Sequence, residues 1–346
     1  MSKNWQISAA VVILLTLLAG CASNQPVNSG VPSATSTVSP QLTEVKPTDT
    51  LEPLPSATLE PSPTATLEPS PTATPTQEPF EITFPEPPYE LGNTLTRTAD
   101  GMVMVFVPGG SFVMGSFPGS DEWGPHTVTL DSFWIDQTEV TNAQYVALMN
   151  IKGNPVDQGW TWIEIEMIED AQIRMVGDKF EPDPGMDDHP VVEVTWPGAY
   201  AYCEWVGGRL LTEAEWEYAA RGPENYIYPW GNEEPTCELV QFAGCGDTSA
   251  PVGSLSIEGA SWVGAMDMAG NVWEWTADFK AEYPKEPQIN PTGPETVETW
   301  MPEIWMHKVS RGGSFQSAPE TLHTAYRKLA GGSQPNLGFR CAVDSP

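Results

Sequence analysis

The sequence predicts a mixed α and β domain with little regular structure, carried on a long extended segment. Three observations carry that prediction. β-rich runs open the domain near Leu95. Two threonine-led capping boxes mark helix starts at Thr141 and Thr212. After Trp230 periodicity gives way to glycine-, proline- and tryptophan-rich loops. The 346 residues include 35 prolines, 30 glycines and 14 tryptophans, a composition that joins a compact aromatic-rich part to something unstructured.

Residues 1–21 read as an export signal. Lys3 precedes an apolar run from Ile7 to Leu18, which leads into Leu18-Ala19-Gly20-Cys21. The run is short for a membrane span of about 20 residues. A cysteine directly after Leu-Ala-Gly resembles the bacterial lipoprotein cleavage site, so Cys21 is expected to carry a lipid that anchors the chain to the outer face of the cell membrane; an ordinary helical anchor is the alternative. Residues 22–94 contain the tandem octads LEPLPSAT, LEPSPTAT and LEPSPTAT, starting at Leu51, Leu59 and Leu67. Proline this dense enforces extended conformations and removes backbone donors, so a disordered stalk is expected.

The domain expected over 95–346 opens with MVMVFVPGGSFVMGS, two β-rich runs broken by Pro108-Gly109-Gly110, which reads as a hairpin. DSFWIDQTEV supplies another strand, and Thr141 with Gln144 has capping-box spacing for a short helix to about Met149. Residues 151–187 read as an irregular insertion, with Glu164, Glu166, Glu169 and Asp170 beside Trp160 and Trp162. VVEVTW from Val191 reads as a strand. Pro197 suits a helix start, and AYAYCEW runs to a stop at Gly207-Gly208. Thr212 and Glu215 form the second capping box, with Trp216, Ala219 and Ala220 on one helix face.

With 46 acidic and 15 basic side chains the formal charge is -31, which repels phosphate backbones and excludes nucleic acid as a partner. Export implies an oxidising destination, where the four cysteines beyond Cys21 permit two disulfides.

The succession RLLTEAEWEYAARG, YPWGNE, GNVWEW, SRGGSF and NLGFRC resembles, in order and spacing, the formylglycine-generating enzyme family, also called the sulfatase-modifying factor family. The resemblance covers about residues 100 to 343. It implies an α+β, C-type-lectin-like fold with twisted antiparallel strands, few helices and long loops. It implies a structural calcium held by Asp267, the carbonyls of Gly270 and Val272, and Glu274. That set is chemically sensible, since calcium takes six to eight hard oxygens and glycine lets a backbone turn its carbonyls inward; a core strand with solvent-facing acids is the competing reading. The resemblance also implies a disulfide between Cys203 and Cys341, which leaves Cys237 to pair with Cys245.

The enzymes of that family oxidise a sulfatase cysteine with two thiols that bind copper. One thiol position matches Ala325, and the other falls between Ser317 and Glu320. No cysteine occurs from 247 to 340. Alanine cannot ligate copper and serine is a hard donor unsuited to the cuprous ion, so no copper is expected. Ser314 and Trp273 match positions lining the family's active-site region and read as scaffold. The four histidines, His126, His189, His307 and His323, lack a paired spacing for iron. The expected function is therefore a lipid-anchored binding and display module for an extracellular peptide, glycan or surface protein. The alternative is an oxidoreductase or protein-modifying enzyme that uses another metal or residue set.

Overall fold

The computed structural model describes residues 80–115, 124–157, 159–165, 171–295 and 307–346. The expected signal peptide, Cys21, the stalk up to residue 79, and Glu166, Glu169 and Asp170 of the insertion lie outside the described residues. No helix among the described residues is long and apolar enough to cross a membrane.

In chain order the elements are β1 (Thr94–Thr96), β2 (Val103–Val107), β3 (Gly110–Met114), β4 (His126–Leu130), β5 (Phe133–Asp136) and α1 (Asn142–Lys152). The insertion follows with β6 (Val156–Asp157), β7 (Trp160–Thr161), β8 (Ile173–Val176) and β9 (Lys179–Pro182). Then come α2 (Trp196–Trp205), β10 (Arg209–Leu210) and α3 (Glu213–Arg221). The last part holds β11 (Trp273–Phe279), β12 (Gln288–Ile289), β13 (Lys308–Arg311), β14 (Lys328–Leu329), β15 (Leu337–Gly338) and β16 (Cys341–Asp344).

One sheet has the order β1-β2-β5-β16-β10, with every neighbour antiparallel. The final strand β16 thus sits between β5 and β10. A second sheet, β14-β13-β11-β15, carries the tryptophan-rich strand β11 at its centre, and a third has the order β12-β4-β3. The insertion forms two small antiparallel pairs, β6 with β7 and β8 with β9, and β9 lies against α1.

Both capping boxes form. Thr141 accepts from the Gln144 amide and Thr212 from the Glu215 amide, while the third-position side chain returns to the cap backbone in each. This satisfies two donors that a helix start otherwise leaves orphaned. Pro197 sits in the first turn of α2, where its missing N–H costs nothing.

Three expectations are corrected. The runs 103–107 and 110–114 do not pair as a hairpin: β2 pairs with β1 and β5, and β3 pairs with β4. Pro108-Gly109-Gly110 instead carries the chain from one sheet to another, and a Cβ on Gly109 would stand 2.9 Å from the Leu130 carbonyl oxygen and 3.0 Å from the Ser132 nitrogen. The run 191–196 is not a strand. Glu193 has φ 56°, which breaks a ladder, and only an isolated bridge links Val194 to Ile163. The packed body also starts earlier than Leu95: Phe80 meets Trp205 edge-on at 5.5 Å, and Tyr89 packs against Trp134 at 5.5 Å and Phe106 at 5.6 Å. These rings bury apolar area that a stalk would leave in water.

Both disulfides form. Cys203 in α2 joins Cys341 in β16 with Cα atoms 5.5 Å apart, and Cys237 joins Cys245 at 5.3 Å. The first clamps α2 onto β16, an interior strand of the five-stranded sheet.

Candidate functional site

Strand β13 ends in Arg311 and runs into Gly312-Gly313-Ser314. Both glycines have positive φ, 95° and 82°, and each lies close to a neighbour. A Cβ on Gly312 would come 3.1 Å from the Trp216 ring, and one on Gly313 would come 2.7 Å from Leu322. The loop can therefore press into the core and turn Ser314 inward. Ser314 is fully buried. Its amide donates to Ser317 Oγ at 2.9 Å, and its own Oγ lies 3.3 Å from Ser317 Oγ. Asn336 Nδ2 donates to Ser314 Oγ at 3.2 Å and to Gln316 Oε1 at 2.9 Å. Two hydroxyls and two carboxamides converge here, all of them neutral and mutually satisfied.

Ala325 is also fully buried. Its neighbours are pinned: the Thr324 amide donates to the Ile227 carbonyl at 2.8 Å, and Arg311 donates to the Thr324 carbonyl at 3.0 Å. The Tyr326 ring packs 6.0 Å from Trp273. Methyl and hydroxyl groups thus stand where the resemblance puts thiols, and they do not fit a cuprous ion, which selects soft sulfur. The histidines stay apart. The His189 ring meets Ser249, the His323 ring packs on Tyr228 and the His126 ring on Tyr283. Among the described residues no group of three His, Cys, Asp or Glu side chains is arranged to hold a metal ion.

The stretch DMAGNVWEW splits between a loop and β11. Asp267 and Asn271 have φ 58° and 53°, and Gly270 has φ 71°. Three positive φ values within five residues curl this backbone tightly. Trp273 and Trp275 are both buried, and Trp275 Nε1 donates to the Val194 carbonyl at 3.0 Å. Glu274, on the opposite face of the strand, is buried too. Arg340 grips it with Nε at 2.7 Å and Nη2 at 2.7 Å, and Trp216 Nε1 donates to it at 2.8 Å.

Asp267 accepts from the Gly253 amide at 2.6 Å. Beside it lies Glu139, which the sequence reading missed. Glu139 is fully buried, accepts from Asn271 Nδ2 at 3.1 Å through Oε1, and leaves Oε2 without a partner. Burial, and then the charge of Asp267, push Glu139 well above the usual carboxylate range; burial pushes Asp267 up as well. Three buried carboxyl groups thus face one guanidinium, Arg340, too little positive charge to keep all three ionised, so without further positive charge the protonated form of Glu139 is favoured. A hard dication would supply that charge. The oxygen donors have the hard chemistry calcium takes, but Glu274 is engaged by Arg340 and Trp216 and Asp267 by the Gly253 amide, so the three acids, Glu139 included, are not arranged around an ion among the described residues. The one sequence signal for Glu139 is an acid set in DQTEV directly before the helix cap.

Behind the Ser314 loop, α3 presents a buried ion network. Arg311 donates to Glu213 at 3.0 Å and to Glu217 at 2.9 Å. Arg327 pairs with Glu213 at 2.7 Å, and Arg221 with Glu217 at 2.7 Å. Removing one partner from such a network strands a buried charge, which is strongly destabilising. The network holds β13, and with it Ser314, against the helix.

A family profile described as a sulfatase-modifying factor enzyme 1-like domain matches residues 90–345. The serine/threonine-protein kinase Pkn1 of Chlamydia trachomatis is 36% identical over 246 residues, which is 70% of this chain and 38% of that protein. The formylglycine-generating enzyme of Thermomonospora curvata is 34% identical over 296 residues, covering 70% of this chain and 93% of that enzyme. Among solved structures, PvdO from Pseudomonas aeruginosa superposes with a TM-score of 0.58 at 24% identity, over 75% of this chain and 100% of its own. The chain spans less than two-fifths of the kinase-named relatives it matches.

Proposed function

Because the chain belongs to the sulfatase-modifying factor enzyme 1-like family and has the C-type-lectin-like fold of the formylglycine-generating type, we propose that its domain is a binding module that keeps the scaffold without thiol and copper chemistry. One observation carries this reading: all four cysteines of the domain are held in the disulfides Cys203–Cys341 and Cys237–Cys245, while Ala325 and Ser317 occupy the thiol region. A dioxygen-activating cuprous site needs soft thiolate ligands. The neutral, satisfied cluster around Ser314 offers neither a base nor an activated nucleophile. Ser314 and Trp273 then act as scaffold.

The proposal extends along the chain. Lys3 to Cys21 supports export and lipidation at Cys21, and the proline-rich repeats support a stalk that displays the domain outside the cell. Calcium is proposed at Asp267, Gly270, Val272 and Glu274 with Glu139 beside them; when bound it supplies charge and cross-links the loop to β11. The ligand class of the Ser314 face is an extracellular peptide, glycan or surface protein.

The test is turnover. Incubate the copper-treated chain with a cysteine-containing sulfatase peptide, and follow oxygen uptake and aldehyde formation on the peptide. No conversion above the copper-only control is expected, and enzyme-dependent conversion would overturn the proposal.

A further inference from the structure

A cleft of about 440 Å³ opens at the far end of β11 from Trp273, lined among others by Glu213, Asp278, Phe279, Tyr283, Gly293 and Pro294. It shares no lining residue with the Ser314 cluster or with the Asp267 and Glu139 site.

Asp278 forms its floor and is 5% exposed. One oxygen accepts the Glu213 amide at 2.8 Å, and the other has no hydrogen-bond donor among the described residues. Gly293, lacking a Cβ, leaves open the space beside that second oxygen: a Cβ there would stand 2.8 Å from Asp278 Oδ1. The cations nearby are occupied. Arg311 and Arg327 are held by Glu213. Lys308 donates to the Ala277 carbonyl at 2.5 Å and lies 3.6 Å from the Phe279 ring centroid and 4.2 Å from that of Trp196. Burial, and then the charge of Glu213, push Asp278 up to about 7. Lys308 lies near enough to offset part of the Asp278 charge, but its ammonium donates to Ala277 rather than to the carboxyl, so the second oxygen still lacks a donor.

The surroundings select the ligand. Asp278, Glu213 and Glu282 line the cleft and repel anions. Glu213 is already paired with Arg311 and Arg327, so Asp278 has no second free carboxylate beside it to share a metal ion, and the cleft suits an organic cation. A formal charge of -31 raises the local concentration of cations. We propose that this cleft binds a primary ammonium ligand, with its N–H groups on Asp278 and its alkyl stem against Pro291 and Pro294. Binding ionises Asp278 and releases its proton to the buffer.

The experiment is calorimetric titration of the full chain with n-butylammonium at pH 7 in a chelator, so that the outcome is independent of calcium and copper. Tetramethylammonium, which has no N–H, and neutral n-butanol serve as controls. Saturable binding by butylammonium alone is expected, with proton release read from two buffers of different ionisation enthalpy. Asp278→Asn keeps an acceptor for the Glu213 amide and should weaken binding at least tenfold and abolish the proton release. No saturable binding, equal binding of tetramethylammonium, or an unchanged Asn variant would overturn the proposal. Should thermal unfolding show that Asp278→Asn does not fold, Gly293→Ala decides: its methyl group crowds the same oxygen, a tenfold loss is expected, and undiminished binding counts against the site.

Discussion

At the residue scale the acidic pair Glu139 and Asp267 makes the sharpest prediction. Glu139→Gln removes one of three buried carboxylates around Arg340. In chelator the variant should unfold at the same or a higher temperature than the parent, because a neutral amide replaces a carboxyl whose ionisation burial and Asp267 already oppose. In calcium its gain should be smaller than the parent's, which for saturation at one hundred times the dissociation constant is about 2.7 kcal/mol. An equal gain in both proteins would remove Glu139 from the site. A second prediction concerns pH. Burial pushes Asp136 up to about 6 and Asp278 up to about 7, whereas an unfolded aspartate titrates near 4. Between those values each of these two aspartates holds more proton in the folded chain than in the unfolded one, so their contribution to stability falls as pH rises from about 4 to about 7, while His126, His189 and His323, pushed down by burial, contribute in the opposite sense. Measured in chelator, the urea midpoint of the parent should fall relative to that of Asp278→Asn as pH rises from 5 to 7.5. A difference between the two that stays constant with pH would contradict the assignment.

At the element scale, features written in local chemistry were legible and those that depend on distant partners were not. Thr141 with Gln144 and Thr212 with Glu215 announce helix starts because a cap needs only four consecutive residues, and both boxes form. Thr141→Ala and Thr212→Ala should each lower stability by about 1 kcal/mol, measured by urea denaturation, and the double variant should show the sum because the two caps lie on separate helices. The hairpin reading of Pro108-Gly109-Gly110 fails because the same residues serve any abrupt change of direction, and here the partner of β3 is β4, more than ten residues downstream. VVEVTW has strand composition, yet φ 56° at Glu193 takes it out of a ladder, which composition does not reveal. The five motifs found the Ser314 loop and DMAGNVWEW. They did not find Glu139, Asn336 or Asp278, whose roles come from the folding of separate segments against one another.

At the scale of the whole molecule, the fold is held by long-range ties: β16 inserted between β5 and β10, a buried arginine and glutamate network, and the Cys203–Cys341 bond across 138 residues. On the chain-entropy model that bond contributes about 5 kcal/mol and Cys237–Cys245 about 2 to 3 kcal/mol. Paired serine replacement of the first should therefore lower the urea-derived stability roughly twice as much as replacement of the second, and equal losses would show that strain or residual structure outweighs loop length. The same bonds bear on function, because they consume the sulfur that redox chemistry requires. The most direct measurement is titration of the chain with cuprous ion against a competing chelator, with sulfur coordination read by X-ray absorption. No centre with two thiolate ligands is predicted; a stoichiometric, two-sulfur cuprous site would contradict the account.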